Sequence, residues 1–129
     1  MKHKPNPYAC RGLWGFLVFV LFALLLSSSA QALPPQEETR INALLSALEK
    51  RSTLVFIRNG DAHSAAEAVD HLKLKLGHTR DRLQTAEQFI DQVASSSSIT
   101  GKPYWVREPG KGERKAGDFL HELLRQLVP

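Results

Sequence analysis

The run LWGFLVFVLFALLL, Leu13 to Leu26, decides how much of this chain is available to fold. It is 14 residues long, short of the roughly 20 apolar residues that a helix needs to cross a bilayer's hydrocarbon core. Lys2, Lys4 and Arg11 precede it, and SSSAQA follows, with small Ala30 and Ala32 either side of Gln31. A basic start, an apolar centre and an A-x-A-like end make the layout of a secretory signal peptide. Cleavage is expected between Ala32 and Leu33, leaving residues 33–129 to fold with no stable membrane anchor. The single cysteine, Cys10, stands before the apolar run. It is misplaced for lipidation, and once the leader is gone no thiol remains for a disulfide.

Export also rewrites the charge. Losing Lys2, Lys4 and Arg11 takes the formal net charge from +4 to +1. The excess of basic residues therefore belongs largely to the leader and argues against nucleic acid as a partner. A chain of this length without cross-links must be held by apolar packing, and one domain is the expected count.

Leu33-Pro34-Pro35 reads as a short extended lead-in. From Gln36 to Arg51, Ile41, Leu44, Leu45 and Leu48 recur at helical spacing and draw one apolar stripe. TLVFIR, Thr53 to Arg58, has strand composition and is stopped by Asn59-Gly60. Ser64-Ala-Ala-Glu67 matches a capping box, opening a second helix that runs to Leu76 with Gly77 as its expected C-cap. A third helix covers Arg80 to Ser95, in which Thr85-x-x-Gln88 offers a cap for a fresh start. PYWVR, Pro103 to Arg107, is the second strand, closed by Pro109-Gly110. A last helix, Gly117 to Leu127, carries Leu120, Leu123, Leu124 and Leu127. The expected fold is one small α+β domain of order α-β-α-α-β-α, with four amphipathic helices on a two-stranded antiparallel pair. No internal repeat and no second domain is visible.

The segment ASSSSITGKPYWVREPGKG, Ala94 to Gly112, is the richest in polar chemistry. A serine nucleophile needs a base in reach, but Lys102 follows Ser98 by four residues with Gly101 between, and no Gly-x-Ser-x-Gly elbow is present. A phosphate loop needs an upstream glycine and a hydroxyl after its lysine, whereas Pro103 follows Lys102. His63, His71 and His78 are eight and seven residues apart, too far for the paired histidines of a helical zinc site. No cofactor is expected. The segment reads as a connection, with serines ending a helix and Pro103 setting up strand entry. Tyr104 and Trp105 should then face opposite sides, one to the core and one to solvent.

FIRNG (Phe56 to Gly60), AVDHLKLKLG (Ala68 to Gly77), TAEQFID (Thr85 to Asp91), ASSSSITGKPY (Ala94 to Tyr104) and FLHELL (Phe119 to Leu124) together resemble the YfeK-like family of small exported bacterial proteins. The resemblance covers nearly all of residues 33–129 and implies the periplasm of a Gram-negative bacterium. It implies no activity, because the family is uncharacterised. The functional expectation is a non-enzymatic periplasmic module that binds a protein partner or a small ligand. Its surface is expected from Arg58, Asn59, His71, Ser98, Thr100, Tyr104, Trp105 and Arg107. The alternatives are an envelope-acting hydrolase using His71 beside Ser98 or Asp61, and an oligomeric structural or stress accessory.

Overall fold

Leucines at helical spacing dictate where the chain buries its apolar surface, and a computed structural model shows what they pack against. It describes His3 and residues 32–127; the leader expected over residues 1–32 lies, apart from His3 and Ala32, outside the described residues. Helix α1 (Pro35–Glu49) buries Ile41, Leu44, Leu45 and Leu48. Strand β1 (Val55–Arg58) turns into β2 (Asp61–Ser64), which runs directly into α2 (Ala65–Thr79). A 3-10 turn (Arg80–Arg82) leads to the short α3 (Ala86–Phe89), which widens into a π turn (Ile90–Ala94). Strands β3 (Trp105–Glu108) and β4 (Gly112–Lys115) form a second hairpin, and α4 (Ala116–Leu127) follows at once. Among the described residues no helix is long and apolar enough to cross a membrane.

The sheet has four antiparallel strands in the order β2-β1-β3-β4, not the two expected. The expected pair, β1 with β3, is its centre, with Phe56 opposite Val106. The missed strands are DAHS and GERK, polar edge segments without the β-branched and aromatic residues that announce a strand. Asn59-Gly60 ends β1 only by folding it back. Both residues have positive φ, 52° and 91°, the backbone of the two-residue turn that joins hairpin strands. Gly77 is not a C-cap either, since α2 continues through it to Thr79. The third helix is interrupted where Leu83 and Thr85 are extended, and it restarts at Thr85, whose hydroxyl accepts from the Gln88 N–H at 3.1 Å, before widening at Ile90.

Topology reveals a repeat that the residues conceal. Each half runs helix, hairpin, helix, and the β1–β3 register is centred on Phe56 and Val106. A two-fold axis through that pair exchanges β1 with β3 and β2 with β4. Following the strand registers, Arg58 corresponds to Glu108 and His63 to Arg114. Along the helices that leave each hairpin, buried Ala65, Val69 and Leu72 correspond to buried Ala116, Leu120 and Leu123. The apolar spacing of α1 recurs in Ala86, Phe89, Ile90 and Val93, all buried. One core lies between the helices and one face of the sheet; each fully buried aliphatic side chain contributes about 1.5–3 kcal/mol. Gly117 marks the tightest approach, since a Cβ there would lie 2.6 Å from the Ser95 hydroxyl oxygen.

Candidate functional site

Side chains alternate across a strand, so the two sheet faces collect different residues. Phe56, Arg58 and Val106 point to the helix side, and Val55, Ile57, Trp105 and Arg107 to the open side. Tyr104, which precedes β3, is buried, and Trp105 is 36% exposed, as expected for opposite faces.

On the helix side, β1, β2 and α2 border an open pocket of about 220 Å3, lined by Phe56, Ile57, Arg58, His63, Glu67, Ala68, His71, Leu72, Ala94 and Tyr104. Its floor is apolar and its rim basic. Arg58 is half-buried. It faces Asp61 across the hairpin, yet among the described residues it enters no ion pair, while Arg40, Arg80, Arg107 and Arg114 are all paired with glutamates. The Nε2 of His63 is buried without a hydrogen-bond partner. Burial, followed by the nearby Arg58, Lys75 and His63, holds the His71 imidazole below its ordinary pKa. The one carboxylate on the rim, Glu67, is already engaged. One of its oxygens accepts from the Ser64 N–H at 2.8 Å and from the Ser64 hydroxyl at 2.9 Å, completing the cap of α2. Those bonds hold its pKa below the usual carboxylate value.

The back wall is braced by Lys75. Its ammonium donates to the carbonyl oxygens of Val93 and, at 2.9 Å, Ser96, and lies 5.2 Å from the centroid of the Tyr104 ring. Val93 lies in the π turn and Ser96 just beyond it, so the lysine ties the end of that turn to α2. Burial lowers the Lys75 pKa, and Arg58 adds to the effect. Burial raises that of Tyr104.

The corresponding corner of the second half is nearly closed, with a hollow of only about 80 Å3 bordered by Glu108, Arg114, Phe119 and Glu122. Phe119 stands where Ala68 stands and is 2% exposed. Arg114, in the place of His63, lies 3.3 Å from Glu108 and 2.6 Å from Glu122, which occupy the places of Arg58 and His71. Arg51 and Arg114 cover the Phe119 ring at 5.9 and 4.9 Å from its centroid.

The expected recognition surface is thus divided. Arg58, His71 and Tyr104 line the cavity. Asn59 and Trp105 line a shallow hollow with Ile57, Gly60, Lys102 and Pro103. The Thr100 hydroxyl donates to the Asn59 side-chain oxygen at 2.8 Å, tying the serine-rich loop to the first hairpin. Ser98 is exposed on that loop, and Arg107 pairs with Glu113 at 2.5 Å on the open sheet face. The loop itself is a self-satisfied turn: buried Ser97 accepts from the N–H groups of Ile99 and Thr100 and from that of Gly101. His63, Glu67 and Lys75 were missed as contributors because only the hairpin brings them to Arg58. Among the described residues no hydrogen bond joins His71 to Ser98 or Asp61, and the charged groups that depress its pKa are basic. His121 is paired with Asp91 at 2.7 Å, and no group of three or more His, Cys, Asp or Glu in that set could hold a metal ion.

Residues 35–128 match the model of a family described as "Family of unknown function (DUF5329)". An "Uncharacterized protein YfeK" of Salmonella typhimurium, strain LT2, is 62% identical over 89 residues, which cover 68% of this chain and 74% of that protein. No solved structure matches the chain.

Proposed function

Because this chain belongs to the YfeK-like family of unknown function, DUF5329, its relatives carry no activity across, and we propose from its own pocket that it is a non-enzymatic periplasmic module that binds a small molecule. The observation that carries this reading is the contrast at one position. Phe119 leaves only about 80 Å3 in its corner, and Ala68 leaves about 220 Å3 in the matching one, beside an apolar floor and the unpartnered Nε2 of His63. A concave, largely apolar pocket with a few convergent polar groups is what small-ligand recognition uses. Export is supported by the leader-like pattern of Lys2 to Ala32.

Catalysis by His71 would require a carboxylate or a nucleophile beside it. The groups that depress its pKa besides burial are Arg58, Lys75 and His63, and the carboxylate that shares its pocket, Glu67, is bonded to Ser64, which favours binding over turnover. The experiment is to fill the cavity. Ala68→Phe gives the first corner the side chain of the second and should leave the fold intact. Small molecules from a periplasmic extract should raise the thermal midpoint of the wild type by several degrees and leave Ala68→Phe unmoved. Equal shifts in both proteins would place binding elsewhere and overturn the reading.

A further inference from the structure

We infer that this pocket takes a small organic anion, its charge held among Arg58, His63 and His71 and its apolar body laid on Phe56, Leu72 and Ala94. The inference rests on the reading of the pocket as a ligand site. The second half of the molecule supplies the internal comparison. There an acid, a base and an acid, Glu108, Arg114 and Glu122, neutralise one another across the corner. At the corresponding positions of the first half stand Arg58, His63 and His71, a base at each. The two acids have no counterpart, and an anion seated in the cavity would restore the alternation of charge that the closed corner makes from its own chain.

The other charged groups around His71 do not fill that role. Glu67 on α2 has its carboxylate turned to the Ser64 cap. Lys75, one turn further along α2, is positive and committed to the carbonyls of Val93 and Ser96. Tyr104, entering β3, is held in its neutral phenol form by burial. Asp61 stands opposite Arg58 in the hairpin but forms no ion pair with it, so among the described residues Arg58 on β1 remains a half-buried guanidinium without a paired carboxylate, and a buried charge is costly until paired. A guanidinium fork matches two oxygens of a carboxylate or phosphate side by side. Both are anions of the same geometry for this purpose, and the probes below separate them.

A negative charge against His71 favours its imidazolium form, opposing burial and the neighbouring cations. Binding therefore takes up a proton, and affinity rises on acidification.

The test uses the protein as cells accumulate it, with the histidine rings followed by NMR during titration with benzoate, phenyl phosphate, benzamide and benzylamine. Benzoate or phenyl phosphate should bind at least about tenfold more tightly than benzamide, shift the rings of His63 and His71, and leave benzylamine the weakest. The stronger of the two anions identifies the oxyanion preferred. Benzoate affinity should fall by up to about tenfold between pH 6 and pH 8. Arg58→Gln should erase the preference over benzamide, and Arg107→Gln, on the opposite sheet face, should keep it. Benzamide binding as tightly as both anions would leave a ligand pocket and overturn the anion. Loss of preference in Arg107→Gln would reduce it to diffuse charge and overturn it too. If none of the four probes moves either ring, the ligand reading itself falls.

Discussion

The corner around Phe119 and the corner around Ala68 are built from the same elements in the same order, and they end in opposite states. In the first, an aromatic ring occupies the space and two glutamates neutralise Arg114. In the second, a methyl group leaves room for about 220 Å3 of cavity, and the charges around it are of one sign apart from the Glu67 carboxylate used in the helix cap. A shared order of elements therefore does not decide whether a corner is structural or available. Side-chain volume and charge sign decide it. The closed corner contributes stability, and the open one gives some of it up.

The sharpest way to break that contrast is to open the closed side. Phe119→Ala removes a buried ring that also seats the Arg51 and Arg114 guanidinium groups. It should cost about 3–5 kcal/mol in urea unfolding. A loss below about 1 kcal/mol would mean that Phe119 is not what closes its corner.

A smaller effect is expected at the lysine behind the pocket. Lys75→Met keeps the apolar stem and deletes the donor shared by the Val93 and Ser96 carbonyls. Leaving such acceptors unsatisfied costs about 1–3 kcal/mol. Gln126, the corresponding residue of α4, is exposed, so Gln126→Met should stay within about 0.5 kcal/mol. Equal losses in the two variants would show that the π turn does not depend on Lys75.

The smallest effect is on pH dependence. The folded His71 imidazole titrates below its ordinary value of 6.5. As pH falls through that value the unfolded chain takes up the proton first, so acidification favours unfolding. The stability lent by neutral His71 is complete above pH 6.5 and declines below it. Urea midpoints measured from about pH 7.5 to pH 5.5 should fall less steeply in His71→Gln than in the wild type. Parallel slopes would separate His71 from the charges that surround the cavity.

The helices were legible because their information is local. Ile41 to Leu48 and Leu120 to Leu124 announce their buried face by spacing alone, and Ser64 and Glu67 announce a cap within four residues. The central strands were legible by composition. The edge strands were not, because Asp61 to Ser64 and Gly112 to Lys115 owe their pairing to turns and neighbours rather than to their own propensity. The repeat escaped for a related reason: a two-fold arrangement preserves register and burial, and those tolerate Ala68 against Phe119 and His63 against Arg114. Arg58, His71 and Tyr104 could be singled out as polar or aromatic residues near turns. That they share one space with His63, and that Trp105 and Arg107 lie on the other side of the sheet, follows only from strand order.

The central register sets how little chain such a sheet demands. Since β1 and β3 meet at the single midpoint of Phe56 and Val106, one short contact holds both hairpins in one sheet. Each hairpin runs straight into its helix, so both corners hang from the same joint. A polypeptide that joins unlike segments there gives one fold two unequal recesses, about 220 Å3 beside Ala68 and about 80 Å3 beside Phe119.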